Sequence, residues 1–200
     1  MFFSTTAIGH LLTIVSCKKN YLIKRFYINS PFCIYLQAAK FIRMNREERF
    51  MSEAIALSAK GVTGNQGGPF GCVIVKNEEI VGRGYNQVTS TNDPTAHAEV
   101  MAIRDACKNL HTFQLDDCEI YTSCEPCPMC MGAIYWARPA KVYFANSRTD
   151  AANIGFDDSM IYDELCSDHA HRKIPMSQLG RNDAWEVFEQ WKAKEDKIEY

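Results

Sequence analysis

The chain has 200 residues, 46% of them hydrophobic and 23% charged, which is room and composition for one domain and excludes collagenous, coiled-coil and low-complexity classes. Residues 1–46 carry seven basic side chains and no acid, whereas residues 44–200 hold 16 Lys and Arg against 24 Asp and Glu, a balance of −8. That acidic body argues against a nucleic-acid partner, and the lack of any apolar run near the roughly 20 residues of a bilayer span argues against a membrane one.

Residues 1–43 are aromatic, aliphatic and basic, without an amphipathic period. The apolar stretch 7–15 is interrupted by His10 and has no basic residue ahead of it, as a secretory leader would. An acid-poor start suits organelle import, yet arginine is scarce. A leader, an import segment and a non-native extension ahead of Met44 all remain open. The organisation expected is therefore an extension over 1–43 and one domain over 44–200.

From Asn45 the pattern is orderly. Phe50, Met51, Ala54, Ile55 and Leu57 form a helical stripe ending near Gly61. The glycine-rich stretch 64–71 lacks the Gly-Lys-Ser/Thr ending of a phosphate loop and reads as a turn. Residues 72–75 and 80–83 read as strands around a turn at Asn77-Glu78. Asp93-Pro94-Thr95 reads as the opening of a helix reaching about Leu110. A strand over 119–122, a helix over 127–137 and a strand over 141–145 follow. A last helix over 181–194 carries Trp185, Phe188 and Trp191 on one face. The ββαβαβ alternation predicts an α/β layer fold.

The chemistry concentrates in His97-Ala98-Glu99 and Pro126-Cys127-Pro-Met-Cys130, each at the start of a predicted helix. Cysteines at i and i+3 share a helix face and can reach one ion. A helix N-terminus favours thiolates, the metal-binding form. With His97 as third ligand, zinc keeps one tetrahedral position free, where a water readily loses its proton. Glu99 can take that proton and pass it to a substrate nitrogen. Cys124 could instead close the coordination sphere and make the ion a staple, but it precedes the helix and reads as a loop or core thiol. His-x-Glu followed by Pro-Cys-x-x-Cys is the signature of zinc nucleobase deaminases. Nine cysteines, three of them in one heptapeptide, suit metal chemistry in a reducing compartment better than a disulfide framework. Cys72, Cys107, Cys118 and Cys166 read as buried thiols, and His111, His169 and His171 as surface histidines.

Gly67-Gly-Pro-Phe-Gly71, Asn92-Asp-Pro-Thr-Ala-His-Ala-Glu99, Thr122-Ser-Cys-Glu-Pro-Cys-Pro-Met-Cys130, Gly132-Ala-Ile-Tyr-Trp-Ala-Arg138, Asp150-Ala-Ala and Gly155-Phe-Asp-Asp-Ser159 carry a family resemblance. From about Met44 to Tyr200 the chain resembles the cytidine deaminase-like superfamily. Within it, Phe156-Asp-Asp158 and the terminal Tyr200 resemble the bacterial-type guanine deaminases. The resemblance implies a three-layer αβα sandwich around a five-stranded mixed sheet. It implies a cytoplasmic homodimer with the C-terminal segment swapped between subunits and one zinc ion per subunit. It also implies hydrolysis of guanine to xanthine and ammonia by zinc-bound hydroxide. His97, Cys127 and Cys130 would hold the metal, and Glu99 would be the proton shuttle. Asn86 and Asp158 would hydrogen-bond the purine base, Phe70 and Trp136 would wall the pocket, and Tyr200 would close it from the neighbouring subunit. Read as residues alone, Phe70 and Trp136 suit core as well as pocket, Asn86 suits a turn, and Tyr200 suits a frayed end.

Guanosine deamination is the alternative in which the tail leaves room for a ribose. A tRNA adenosine deaminase would share the zinc motif but fits the charge of −8 poorly. Cytosine deamination is a further alternative. A zinc-stabilised interaction domain without catalysis is the alternative of a different class.

Overall fold

A computed structural model describes residues 44–199. The extension over 1–43 and the pocket-closing role of Tyr200 lie outside the described residues.

Helix α1 (Arg46–Thr63) opens with Glu47 and Glu48 and ends near Lys60, charges that oppose the helix dipole. Phe50 and Ala54 lie on its buried face. Strand β1 (Gly71–Lys76) turns directly into β2 (Glu79–Tyr85). Asn77 and Glu78 both adopt positive φ, the twist of a two-residue hairpin, as the sequence predicts. A short helix, α2 (Val88–Thr91), follows, then α3 (Ala98–Leu110). The expected opening at Asp93 is displaced. Its carboxylate accepts from the Thr95 amide (2.8 Å) and hydroxyl (2.7 Å), closing a turn, and α3 starts after His97 instead.

Strand β3 (Glu119–Cys124) runs antiparallel to β1 and leads into α4 (Pro128–Ala137). Strand β4 (Lys141–Asn146) is parallel to β3. The sheet order is β2-β1-β3-β4, a mixed sheet. It has four strands among the described residues, not the five that the resemblance implies. The reason lies in the local chemistry after β4. Ser147 and Asp150 form a reciprocal capping box that turns the chain into α5 (Arg148–Asn153). Helix α6 (Ser159–Cys166), a 3-10 turn (His169–His171) and α7 (Arg181–Ala193) follow. The irregular stretch 172–180 contains Pro175, which has no N–H for a sheet ladder.

Period-two alternation sends β1 side chains to two cores. Val73 and Val75 pack with Tyr121 against Phe50 and Ala54 of α1. Cys72 and Ile74 pack with Ile120 against Ala98, Ala102 and Ala106 of α3 and Ile134 of α4. Helices therefore cover both sheet faces. The alanine stripe of α3 meets Gly82 and Gly84 of β2, which lets helix and strand backbones almost touch. Cys72 and Cys118 are buried, Cys107 is half-buried, and Cys166, contrary to its sequence reading, is exposed. His111, His169 and His171 are exposed, as expected. Among the described residues no helix is long and apolar enough to cross a membrane.

Candidate active site

Two helix starts converge at the edge of the α3–α4 layer. His97 and Cys127 are the residues that cap α3 and α4, both in extended backbone, and Cys130 sits in the first turn of α4. His97 Nδ1 lies 3.5 Å from Cys127 Sγ and 3.5 Å from Cys130 Sγ. A tetrahedral zinc ion, with Zn–S near 2.3 Å and Zn–N near 2.0–2.1 Å, separates its nitrogen and sulfur ligands by about 3.5 Å. The three residues thus fit zinc in kind and in spacing, and among the described residues they form the one cluster that could hold a metal.

The sulfurs share a proton unequally. The bond with Cys130, and His97 beside it, draw the Cys127 thiol down to about 4. Cys130 is pushed far up by that same bond to Cys127 and by burial. His97 is raised by its bond to Cys127. Cys124 is not part of that cluster. Its thiol, pushed up to about 11 chiefly by burial, donates to the Ser147 carbonyl at 3.6 Å. The set of three is therefore open on one side.

Glu99 stands at that side. It is 95% buried, its Oε1 accepts from the Thr122 hydroxyl at 2.8 Å, and its Oε2 lies 3.3 Å from Cys130 Sγ. Burial raises its pKa above the ordinary carboxylate value, against the hydrogen bonds that lower it. A carboxyl group held closer to neutrality can both accept and return a proton.

A cavity of about 730 Å³ opens over this centre, and His97, Glu99 and Cys127 form part of its lining. Its size is ordinary for a small-molecule site. Phe70 lines it and packs edge-on against Phe156 at 4.9 Å between ring centres. Asn86 lines it too. Its Oδ1 accepts from the Gly68 and Val88 amides, both at 3.2 Å, so the side chain is fixed with its amide N–H groups left for the cavity. Asp158 faces the same space, its carboxyl raised by burial and by the nearby Cys127 charge. Trp136 is not brought there. It is 64% exposed on α4 and is not part of the lining within one chain.

Sequence reasoning missed Thr122, Arg148 and Phe156 individually. Thr122 had a signal, a hydroxyl at an inward position of a strand otherwise carrying Ile and Cys on that face. Arg148 had none, because its place at the cavity depends on Glu125, whose carboxylate accepts from the Arg148 backbone N–H at 2.9 Å.

Residues 44–146 match the family model of the cytidine and deoxycytidylate deaminase zinc-binding region. The chain belongs to this zinc-binding deaminase family. Among relatives in the family, guanine deaminase of Bacillus subtilis is 54% identical over 153 residues, covering 76% of this chain and 98% of its own length. A tRNA-specific adenosine deaminase of the same organism is 41% identical over 101 residues, covering 50% of this chain and 62% of its own. The crystal structure of the Bacillus subtilis guanine deaminase superposes with a TM-score of 0.76, over 78% of this chain and 99% of that one. A solved structure of guanine deaminase from Nitrosomonas europaea does so with 0.51 at 30% identity, over 55% of this chain and 63% of that one.

Proposed function

We propose that the protein is a guanine deaminase, hydrolysing guanine to xanthine and ammonia. The observation that carries this is the buried Glu99 carboxyl beside an open His-Cys-Cys set, under a cavity whose polar wall is Asn86 and Asp158. The 54% identity to a guanine deaminase over nearly all of that enzyme's length supports the same substrate.

His97, Cys127 and Cys130 would hold one zinc ion per subunit. When bound, zinc supplies Lewis acidity that makes a nucleophilic oxygen available from water near neutral pH. Glu99 accepts one proton from that water and delivers it to a ring nitrogen as the oxygen adds to the amino-bearing carbon; it then takes the remaining hydroxyl proton and delivers it to the amino group, whose carbon–nitrogen bond breaks to release ammonia and leave the carbonyl of xanthine. Phe70 provides an apolar face for the flat ring. The Asn86 amide donates to an acceptor of the base, and Asp158 accepts from its N–H donors. A site that pairs those donors rejects bases lacking them, because its own buried groups would go unpaired.

The enzyme works as a homodimer with the C-terminal segment exchanged. In support, α7 has no buried residue, and Trp185, Phe188 and Trp191 are 48%, 65% and 45% exposed, a face of large side chains that a second subunit would cover. Trp136, exposed within one chain, and Tyr200 then complete the pocket across the subunits. The cytoplasm suits a site that needs two reduced cysteines. The extension over 1–43 is where organelle import would be encoded.

Ammonia release by the full chain, with guanine, guanosine, adenine, cytosine and cytidine in parallel, tests this function. Turnover confined to guanine is expected. Turnover of guanosine or adenine in preference to guanine would overturn the assignment of substrate.

A further inference from the structure

We propose that Thr122 is the positioning residue for the Glu99 carboxyl, anchoring Oε1 so that Oε2 is the oxygen that carries the proton. The inference rests on the reading of Glu99 as proton shuttle and goes beyond it by dividing its two oxygens.

Glu99 lies in the first turn of α3, where its backbone is fixed but its side chain keeps three rotatable bonds. Buried carboxylates need hydrogen-bond donors. Beside its own backbone N–H, two side chains stand within reach: Thr122 at 2.8 Å from Oε1 and Cys130 Sγ at 3.3 Å from Oε2. A thiol is a weak donor, whereas the Thr122 hydroxyl makes a short O–H···O bond, so Thr122 is the side chain that holds the carboxyl. Its hydroxyl has Glu99 as partner, and the residue is fully buried.

The platform beneath it is rigid. Thr122 is β-branched, which restricts its first side-chain torsion. It sits in β3, with Cys72 of β1 on one side and Phe144 of β4 on the other. Strand alternation places it on the same face as Ile120, toward α3. The sheet therefore fixes the hydroxyl, the hydroxyl fixes Oε1, and Oε2 is left on the side of the His-Cys-Cys set. A valine there would keep the shape and β preference and remove only the donor.

The test compares Thr122→Val and Thr122→Ser in the full-length zinc-loaded protein. With Thr122→Val, kcat on guanine is expected to fall roughly tenfold to hundredfold, as for a misplaced acid–base group, while KM and zinc content stay near wild type. Thr122→Ser, which keeps the hydroxyl, is expected to restore kcat to within about threefold. In a Glu99→Gln background, Thr122→Val is expected to change the residual rate less than about twofold, because two residues acting as one unit are not additive. Wild-type kcat in Thr122→Val, equal losses in the Val and Ser variants, or an undiminished effect in the Glu99→Gln background would each overturn the role of Thr122. Wild-type turnover in Glu99→Gln alone would instead refute the shuttle and this inference with it. No turnover of guanine by the wild type would refute the functional reading itself.

Discussion

Replacing Gly84 by alanine should damage catalysis from the opposite side of a helix. Gly84 lies on β2, where an added Cβ would sit 2.2 Å from the Ala98 carbonyl oxygen and 2.5 Å from the Ala102 nitrogen. Ordinary van der Waals contact begins at 3.4 Å. The obstructing atoms are backbone, so no side chain can rotate away, and α3 must lift from the sheet by about 1 Å. Overpacking of this kind costs about 1–3 kcal/mol of stability. The larger effect is on function, because the first turn of α3 carries Glu99 and follows directly on His97. A displacement of about 1 Å at a reacting centre can cost on the order of a hundredfold in rate. Steady-state kinetics on guanine, zinc content and urea unfolding of Gly84→Ala would together show a lower kcat, weaker zinc retention and a lower midpoint. A variant with wild-type turnover and midpoint would refute the claim that close packing of β2 on α3 places the centre.

Gly67→Ala tests the other wall: its Cβ would lie 2.2 Å from Asn86 Oδ1, so Asn86 must move, and guanine KM should rise with little change in zinc content, both read from kinetics and metal analysis. Zinc uptake by the metal-free protein should release protons, since the Cys130 thiol, held up by its bond to Cys127 and by burial, must lose its own to bind; zinc affinity should weaken as pH falls, and a titration in weak buffer with a pH indicator that shows no release would contradict the ligand set. Asp93, Asp150 and Asp157 are held below the usual carboxylate range, Asp93 by Thr95, Asp150 by Ser147 and Asp157 by the Ser159 amide. Depressed carboxyls add stability that is complete above the unfolded value of about 3.9 and is lost as pH falls through their folded values. Urea midpoints should therefore drop below about pH 4, and Asp150→Asn should flatten that drop.

The His-Cys-Cys cluster was legible because its spacing is local: two cysteines one helical turn apart and a histidine two residues before a glutamate. The hairpin at Asn77-Glu78 was legible for the same reason. Asp93 misled because Asp-Pro-Thr serves equally well as a helix cap and as a turn, and only the packing of Ala98 on Gly84 decides where α3 begins. Helices α5 and α6 escaped notice because they have six and eight residues, too short for a period to show, whereas the longer α7 was expected over 181–194. Trp136 could not be placed from sequence, since an aromatic on a helix reads equally as core, pocket wall or surface, and the structure leaves it 64% exposed.

Glu99 shows why the motif alone underdetermines the chemistry. His-x-Glu puts a carboxyl near a ligand, but its usefulness depends on burial and on which oxygen is free, and both come from the sheet rather than from the motif. Thr122 is 23 residues away in sequence and reaches Glu99 because β3 lies beneath the start of α3. The same strand then runs to Cys124 and delivers the chain to Cys127 and Cys130 at the head of α4. One central strand thus sets both the orientation of the Glu99 carboxyl and the position of Cys127 and Cys130. A change in the register of β3 would disturb the two together, since a slip of one residue would turn Thr122 away and expose Tyr121 to the α3 face.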